Sequence, residues 1–349
     1  MDEISIISAG YKELFGTSEF IINALPRSGS DRKYFRITSA SKSVIGAFNP
    51  VHEENEAFIG FTNHFISKGL PVPGIFGYLP GKFIYFLRDL GDTNLYTWLH
   101  KKRPYIGFEK ETDKMFRKIL DKLIIFQTKG IAGLNLDLCY PHKSFDRQSM
   151  MWDMNYFKYM FLKLMTVPFN ERKLEHDFNQ LADYLLTTGQ DYFLYRDFQS
   201  ANVMIVDDEP WFIDYQGGRR GAPQYDLASL LYDAKITLSE EVREKFLSYY
   251  IGKFCEVSGE NQETFRGYFS GFTMIRLMQA LGAFGFRGLY ENKPTFTDSI
   301  VPAVALLEQV IDTSEKTIAL PELYQTIHAI SQTPKLKQLA DVVKNLKSS

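Results

Sequence analysis

Three polar residues near the middle of the chain stand at spacings suited to phosphoryl transfer to a hydroxyl group. Asp197 opens a short loop, Asn202 follows five positions later, and Asp214 lies further along the same segment. An aspartate at the start of such a loop can accept the proton of an attacking hydroxyl, while an asparagine and a second aspartate can hold Mg²⁺. We therefore predict Asp197 as the catalytic base and Asn202 and Asp214 as metal ligands.

The stretch between the two predicted metal ligands has the pattern of a β-hairpin. Apolar residues 203–205 and 211–213 flank a polar turn at 207–210. Because the outer ends of two strands joined by a turn lie together, we expect Asn202 and Asp214 at one end of the hairpin. An isolated pair of Asp and Asn five positions apart carries little information, since both residues also favour turns and caps. The same pair combined with the hairpin pattern is a far more specific signal of a phosphoryl-transfer site.

Length and composition agree with a compact enzyme and argue against several other classes of protein. The 349 residues, 45% hydrophobic and 15% aromatic, exceed the ~100–200 residues of one domain, so we expect two lobes or domains. A net charge of −2 without a basic block predicts no nucleic-acid and no membrane partner. Two cysteines, Cys139 and Cys255, are too few for a disulfide framework and are expected in the core.

The start of the chain has no basic segment followed by an apolar one, and the longest apolar runs, such as 300–307, are too short to span a bilayer. We therefore expect a cytoplasmic protein.

Periodicity predicts a β-rich first part and a mainly helical remainder. Residues 43–48 and 83–87 have the composition of strands, and 53–69 has a helical apolar pattern. Polar residues and glycine at 87–92 then mark a crossing into a helical region. The predicted helices beyond it cover residues 112–128, 150–166, 174–187, 225–236, 239–254 and 260–287.

The segment Tyr-Arg-Asp-Phe-Gln-Ser-Ala-Asn at 195–202 resembles the catalytic loop of the protein-kinase-like fold. No long activation segment follows Asp214; instead Gly-Ala-Pro-Gln-Tyr-Asp-Leu-Ala at 221–228 comes almost at once. This arrangement resembles the aminoglycoside phosphotransferase and choline kinase branch of small-molecule kinases. In that family Asp226 would support the catalytic loop from below, and Arg196 would pack or pair within it.

The resemblance implies an α+β, two-lobed protein-kinase-like fold with a small β-rich N-lobe and a larger, mainly helical C-lobe. Residues 1–88 would form the nucleotide-covering lobe, and 89–349 the catalytic and acceptor-binding lobe. The implied cofactors are ATP and Mg²⁺, and the implied partner is a small-molecule acceptor. The sequence leaves open ATP or GTP as donor, and we expect a monomer or a weak homodimer.

Further segments of the sequence resemble one subfamily, the anomeric kinases of cell-wall amino sugars. They are Gly29 and Ser30 with Arg32, and the segments 70–73, 88–91, 213–216, 225–233 and 278–287. This resemblance implies a sugar acceptor, N-acetylmuramate or N-acetylglucosamine, phosphorylated on its anomeric hydroxyl. Two alternatives remain open. The acceptor could be an aminoglycoside, a choline-like alcohol or another metabolite, or the protein could bind nucleotide as a regulator without turnover.

The second alternative arises from a missing lysine. Kinases hold the α- and β-phosphates with a lysine of the third strand, which pairs with a helix glutamate, yet residues 44–48 contain no lysine. We expect Arg32 to substitute, because a guanidinium can contact two phosphate oxygens at once; Lys33 and Arg36 are its rivals. Carboxylates at 53, 54 and 56 open the next predicted helix, where the helix dipole alone explains at least two of them.

The remaining predicted site residues fall into two groups. The residues expected at the nucleotide are Gly29, Ser30, Arg32, Arg88, Asp89 and Leu90. Those expected at the acceptor are Asp146, Asp153, Gln199, Gln216 and Arg219, with Trp152 and Tyr215 as aromatic surfaces for a sugar ring. Each charge in the second group would serve equally well at the surface, and the aromatic residues equally well in the core.

Overall fold

The computed structural model describes residues 2–26, 32–40, 42–102 and 107–348, with the side chains of all of these except 108 and 343–348. The chain forms two compact units. The first comprises Met1–Lys143 and Ala201–Gly218, and the second comprises Ser144–Ser200 and Arg219–Ser349. This is a division by packing. The predicted lobe boundary after residue 88 is a division by function and stays a prediction.

A five-stranded antiparallel sheet forms the centre of the first unit, in the strand order β1-β2-β3-β5-β4. The strands are β1 Ile21–Ala24, β2 Lys33–Thr38, β3 Ser43–Phe48, β4 Ile75–Leu79 and β5 Ile84–Arg88. The predicted strands at 43–48 and 83–87 therefore match β3 and β5. Because side chains alternate along a strand, the sheet presents two different faces to its neighbours.

One face of this sheet is covered by helix α1, Glu3–Phe15, which was not predicted. Its Ile7 and Tyr11 are fully buried in a cluster with Phe35, Ile37 and Phe86 of the strands. The sequence carried the signals of this helix, an apolar stripe between a capping aspartate and a glycine. The Asp2 side chain accepts a hydrogen bond from the Ser5 N–H, and Gly16 ends the helix with φ +67°.

The opposite face packs on helix α2, His52–Ser67, through aromatic rings. The Phe58 ring stacks between Tyr85 of β5 and Tyr215, with ring centroids 5.0 and 5.2 Å apart. The Tyr215 hydroxyl also shares a 2.6 Å hydrogen bond with Thr62 Oγ1. Tyr215 is fully buried, so it is a core residue, the second of the two readings that the sequence left open.

The first unit also contains helices α3, Leu95–Lys102, and α4, Phe108–Thr128, and the hairpin of β7, Val203–Val206, and β8, Glu209–Phe212. The predicted hairpin is confirmed, with a shorter turn than expected. Asp207 and Asp208 adopt φ +52° and +57°, the signature of a two-residue type I′ turn.

The second unit is mainly helical, with one two-stranded sheet of β6, Tyr192–Leu194, and β9, Arg219–Gly221. Its helices are α5 Arg147–Phe157, α6 Lys163–Met165, α7 Glu171–Leu185, α8 Gln224–Leu231, α9 Glu240–Ser258, α10 Gln262–Phe284, α11 Pro294–Thr297, α12 Ile300–Ser314, α13 Pro321–Gln332 and α14 Pro334–Ser348. One apolar core, drawn mainly from α5, α7, α10, α12 and α13, lies within this unit.

The helix predicted over 150–166 is interrupted in the structure. A π-helical turn, Lys158–Leu162, separates α5 from α6, and a second one, Gly285–Tyr290, follows α10. A Cβ atom at Gly285 would collide with the Met160 carbonyl oxygen. The two wide turns therefore lie in backbone contact, which only a glycine allows.

Two composition-level expectations can be compared with the structure. Cys139 and Cys255 are both buried, as predicted. Across the described ranges, no helix combines the length and the apolar character that crossing a membrane requires.

Candidate active site

Two carboxylates of the second unit hold the two ends of the predicted catalytic loop. Asp226, fully buried in the first turn of α8, accepts hydrogen bonds from the backbone N–H groups of Tyr195 (2.7 Å) and Arg196 (2.9 Å). Asp233 accepts from the N–H (3.0 Å) and Oγ (2.6 Å) of Ser200. Asp233 was not among the predicted site residues. Its only sequence signal was its place in the segment 225–233.

Arg196 links the catalytic loop to helix α5. Its guanidinium donates to both carboxylate oxygens of Asp153 at 2.6 and 2.5 Å, and to the Tyr225 hydroxyl at 2.8 Å. Burial raises the pKa of the Tyr225 phenol, so this hydroxyl stays neutral beside the ion pair. The backbone of Arg196 has φ +82°, a conformation that costs a non-glycine residue about 1–3 kcal/mol and is concentrated at functional sites. Asp197 follows directly.

The two predicted metal ligands meet in the first unit. Asn202 Nδ2 lies 3.3 Å from Asp214 Oδ2, and the Ile213 N–H donates to the Asn202 carbonyl at 3.1 Å. Gln216 Nε2 donates to the other carboxylate oxygen of Asp214 at 2.7 Å. Asp214 itself has φ +69°, which turns the chain sharply as it leaves β8. The hairpin therefore brings these two residues to one end, as its pattern predicted.

The chemistry of this pair fits Mg²⁺. Mg²⁺ prefers oxygen ligands and is held by one or two carboxylates together with substrate phosphates and water. Asp214 offers a carboxylate and Asn202 an amide oxygen. Within the described ranges, no cluster of three or more His, Cys, Asp or Glu side chains is placed to bind a metal ion, so an all-protein cage is not what these residues provide.

Arg32 lies in the same unit, beside the metal-ligand pair. Its guanidinium pairs with Glu54 of α2 at 2.8 Å and lies 3.8 Å from Asp214 Oδ1. Its two rivals are engaged elsewhere. Lys33 pairs with Glu3, and Arg36 donates to Asp89 at 2.8 and 3.1 Å.

The crossing after β5 is fixed by charge. The Asp89 carboxylate accepts hydrogen bonds from Arg36, from Ser43 Oγ at 2.6 Å and from the Gly91 N–H at 2.9 Å. Leu90 is buried, and the guanidinium carbon of Arg88 lies 4.4 Å from the ring centroid of Trp211. These contacts hold Arg88, Asp89 and Leu90, three of the six residues predicted at the nucleotide, at the end of β5 and in the segment after it.

Replacing Asp89 with asparagine should lower the free energy of unfolding by about 2 kcal/mol near neutral pH, because charge-assisted hydrogen bonds are lost. Burial would raise the pKa of Asp89, but hydrogen bonds from Ser43 and Arg36 outweigh it and hold this pKa below its ordinary value. Such a carboxylate stabilises the fold above its unfolded pKa of about 3.9, and the contribution is lost as pH falls through the folded pKa.

Urea unfolding of both proteins across this pH range tests the prediction. The stability difference should be constant near pH 7 and should shrink below about pH 4. A difference that is independent of pH would contradict the ionic origin of this stabilisation.

The residues predicted at the acceptor are distributed over several elements. The Asp146 side chain caps α5 by accepting from the Ser149 N–H at 2.9 Å. The Gln199 N–H donates to the Asp197 carbonyl at 2.9 Å. Arg219 is buried on β9, and Trp152 on α5 is 46% exposed. Asp153 and Gln216 are bonded to Arg196 and Asp214, as described above. An acceptor role for these residues stays a prediction, and Gly29 and Ser30 lie outside the described residues.

Known proteins are similar to this chain in sequence and in fold. The model of the phosphotransferase enzyme family matches residues 22–260. An N-acetylmuramate/N-acetylglucosamine kinase of Pseudomonas aeruginosa is 22% identical over 305 residues, 85% of this chain and 86% of that protein. A second protein of that name, from Neisseria meningitidis serogroup B, is 26% identical over 211 residues, 58% of this chain and 59% of its own length. The solved structure of a Plasmodium vivax ethanolamine kinase superposes with a TM-score of 0.61 at 12% identity, covering 85% of this chain and 84% of that one.

The sheet of the first unit, the helical second unit and the similarity to this solved structure define a protein-kinase-like fold, and the predicted α+β fold with a small β-rich lobe and a larger helical lobe is confirmed. The chain belongs to the phosphotransferase enzyme family. It is accordingly an enzyme that transfers a phosphoryl group to a hydroxyl acceptor.

Proposed function

We propose that the protein is an ATP- and Mg²⁺-dependent sugar kinase that phosphorylates the anomeric hydroxyl of an amino sugar, N-acetylmuramate or N-acetylglucosamine. The observation that carries the kinase chemistry is the pairing of Asn202 with Asp214 beside a cation, Arg32. Two relatives named N-acetylmuramate/N-acetylglucosamine kinase support the choice of acceptor.

The proposed roles follow from where each side chain is held. Asp197 orients the acceptor hydroxyl and takes its proton, from a loop whose ends are fixed by Asp226 and Asp233. Asn202 and Asp214 hold Mg²⁺ on oxygen ligands. Bound Mg²⁺ supplies charge neutralisation between the β- and γ-phosphates. The catalytic contribution of the chain is then mainly positioning and electrostatics.

In this proposal residues 1–88 cover the nucleotide, with Gly29 and Ser30 among the phosphate-binding residues and Arg88, Asp89 and Leu90 at the adenine. Residues 89–349 carry the catalytic loop and the acceptor site. The residues proposed at the acceptor are Asp146, Asp153, Gln199, Gln216 and Arg219.

ATP consumption with Mg²⁺ across a panel of acceptors tests the proposed function. The panel contains N-acetylmuramate, N-acetylglucosamine, other hexoses, aminoglycosides, choline and ethanolamine, and NMR of the product locates the phosphate. We expect turnover on an amino sugar, with the phosphate on the anomeric oxygen. Turnover confined to an aminoglycoside or an amino alcohol would keep the enzyme class and replace the proposed acceptor.

A further inference from the structure

The third strand carries a small residue on the face of the sheet that packs against α2. Ala47 of β3 is paired with Tyr34 of β2 on one side and Tyr85 of β5 on the other. Directly opposed residues share a face of the sheet, so the two tyrosines flank Ala47 on the face that packs against α2. Ala47 is fully buried. The third strand therefore carries no cation there and presents only a methyl group.

The neighbouring strand supplies a cation to this face. Arg32 lies two positions before Tyr34 and immediately before β2 begins, and its side chain is only 2% exposed. One terminal nitrogen donates to Glu54 Oε2 at 2.8 Å, and the other donates to the Tyr34 hydroxyl at 3.2 Å. Its Nε has no hydrogen-bond partner in the part of the chain that the structure describes. A buried donor without a partner is costly, so a ligand that accepts from it is favoured.

The glutamate that pairs with Arg32 is itself held in place. Asn49 follows β3 directly, is 2% exposed, and donates from Nδ2 to Glu54 Oε2 at 3.0 Å. The Asn49 carbonyl accepts from Asn55 Nδ2 at 2.7 Å, and its side-chain oxygen accepts from the Val51 N–H at 3.1 Å. The start of α2 is thus tied to the end of β3. The helix dipole explains why a carboxylate is tolerated at Glu54 but does not require a buried arginine against it.

We propose that Arg32 is a relocated phosphate-holding cation: it reaches over Ala47 from the second strand, takes the place of the third-strand lysine, and is positioned by Glu54 and Asn49. This inference rests on the proposed kinase function and deepens it. An arginine suits this role, because its planar guanidinium binds a carboxylate on one edge and leaves further N–H donors for a polyphosphate. Asp214 Oδ1 is only 3.8 Å away, so the same cation lies beside a residue that would hold Mg²⁺.

Moving the cation back to the third strand tests the proposal. The variants are Arg32→Ala, the double variant Arg32→Ala with Ala47→Lys, and Glu54→Gln. Lys33→Ala is the matched control, because Lys33 is the adjacent cation and pairs with Glu3 on the other side of the strand. The readouts are kcat and KM for MgATP with the best acceptor, the Kd for MgATP by calorimetry, and the melting temperature as a check on folding.

We expect Arg32→Ala to lower kcat/KM for MgATP by about 100-fold, the typical effect of removing one electrostatic contact to a developing charge. Adding Ala47→Lys to this variant should raise kcat/KM for MgATP again by at least about tenfold, because the lysine enters the space that the guanidinium left. Glu54→Gln should raise KM for MgATP with a smaller effect on kcat. Lys33→Ala should resemble the unaltered protein.

Three outcomes would overturn the proposal: an Arg32→Ala protein with unchanged MgATP parameters, a folded double variant that recovers nothing, or a Lys33→Ala protein as impaired as Arg32→Ala. Calorimetry needs no acceptor and therefore separates this inference from the proposed function. If the unaltered protein turns over no acceptor, the proposed function fails. The proposed role of Arg32 is then tested by binding alone: it holds if Arg32→Ala weakens MgATP binding and Ala47→Lys restores it.

Discussion

Asp197→Asn is expected to lower kcat by about 10³-fold, within the range that a positioned general base contributes, while the Kd for MgATP changes little. Asparagine keeps the shape of the side chain but cannot accept the proton of the acceptor hydroxyl. The surrounding loop should be unaffected, because its backbone is held by Asp226 and Asp233. Initial rates with the best acceptor, and calorimetry with MgATP, measure the two quantities.

Asp208→Asn is the matched control for this substitution. Asp208 is exposed in the turn of the hairpin with φ +57°, and asparagine tolerates that conformation well. The Asp208→Asn protein should therefore keep full activity. A kcat for Asp197→Asn within about tenfold of the unaltered protein would exclude Asp197 as the base. Weakened MgATP binding by the Asp197→Asn protein would instead indicate that Asp197 acts through the nucleotide.

The second large effect concerns the ion pair between the catalytic loop and α5. Asp153→Ala is expected to lower the free energy of unfolding by about 3–5 kcal/mol, because it leaves the charge of Arg196 buried without its partner. The side chains of Asp153 and Arg196 are only 8% and 16% exposed. Urea unfolding, followed by the fluorescence of the tryptophans, gives the change in stability.

A paired replacement separates the cost of an unpaired charge from the value of the pair. Asp153→Leu combined with Arg196→Met should recover most of the loss, since apolar groups of similar volume often replace a buried ion pair without cost. The same variants also decide the role of Asp153. An Asp153→Ala protein with normal stability and a raised KM for the acceptor would make this residue a substrate ligand.

The parts of the site that the sequence predicted are those encoded locally. The catalytic loop, the hairpin and the meeting of Asn202 with Asp214 lie within one short segment, where turn chemistry and strand alternation suffice. The turn was predicted too long because Pro210, a residue type common in turns, belongs to β8 here. The strands at 43–48 and 83–87 were recognisable for the same reason.

The ion-pair partners of Arg196 and Arg32 could not be predicted, because they are distant in sequence. Arg196 bonds to Asp153 across 43 residues, and Arg32 bonds to Glu54 across 22. Neither periodicity nor composition indicates which of many charges will pair. The π-helical turns were not predicted for a similar reason. The apolar pattern of Lys158–Leu162 does not reveal the distant backbone at Gly285 that packs against this turn.

The packing of Tyr215 against α2 has a consequence for the newly made chain. Tyr215 is separated from its partner Thr62 by 153 residues, so the aromatic face of α2 can be translated long before the ring that covers it. At about 5–20 residues per second, the ribosome needs roughly 8–30 s to close this gap. During that interval Phe58 lacks one of its two stacking partners. The nascent amino-terminal sheet would therefore present an apolar surface of the kind that chaperones bind, until the hairpin segment emerges and completes the unit.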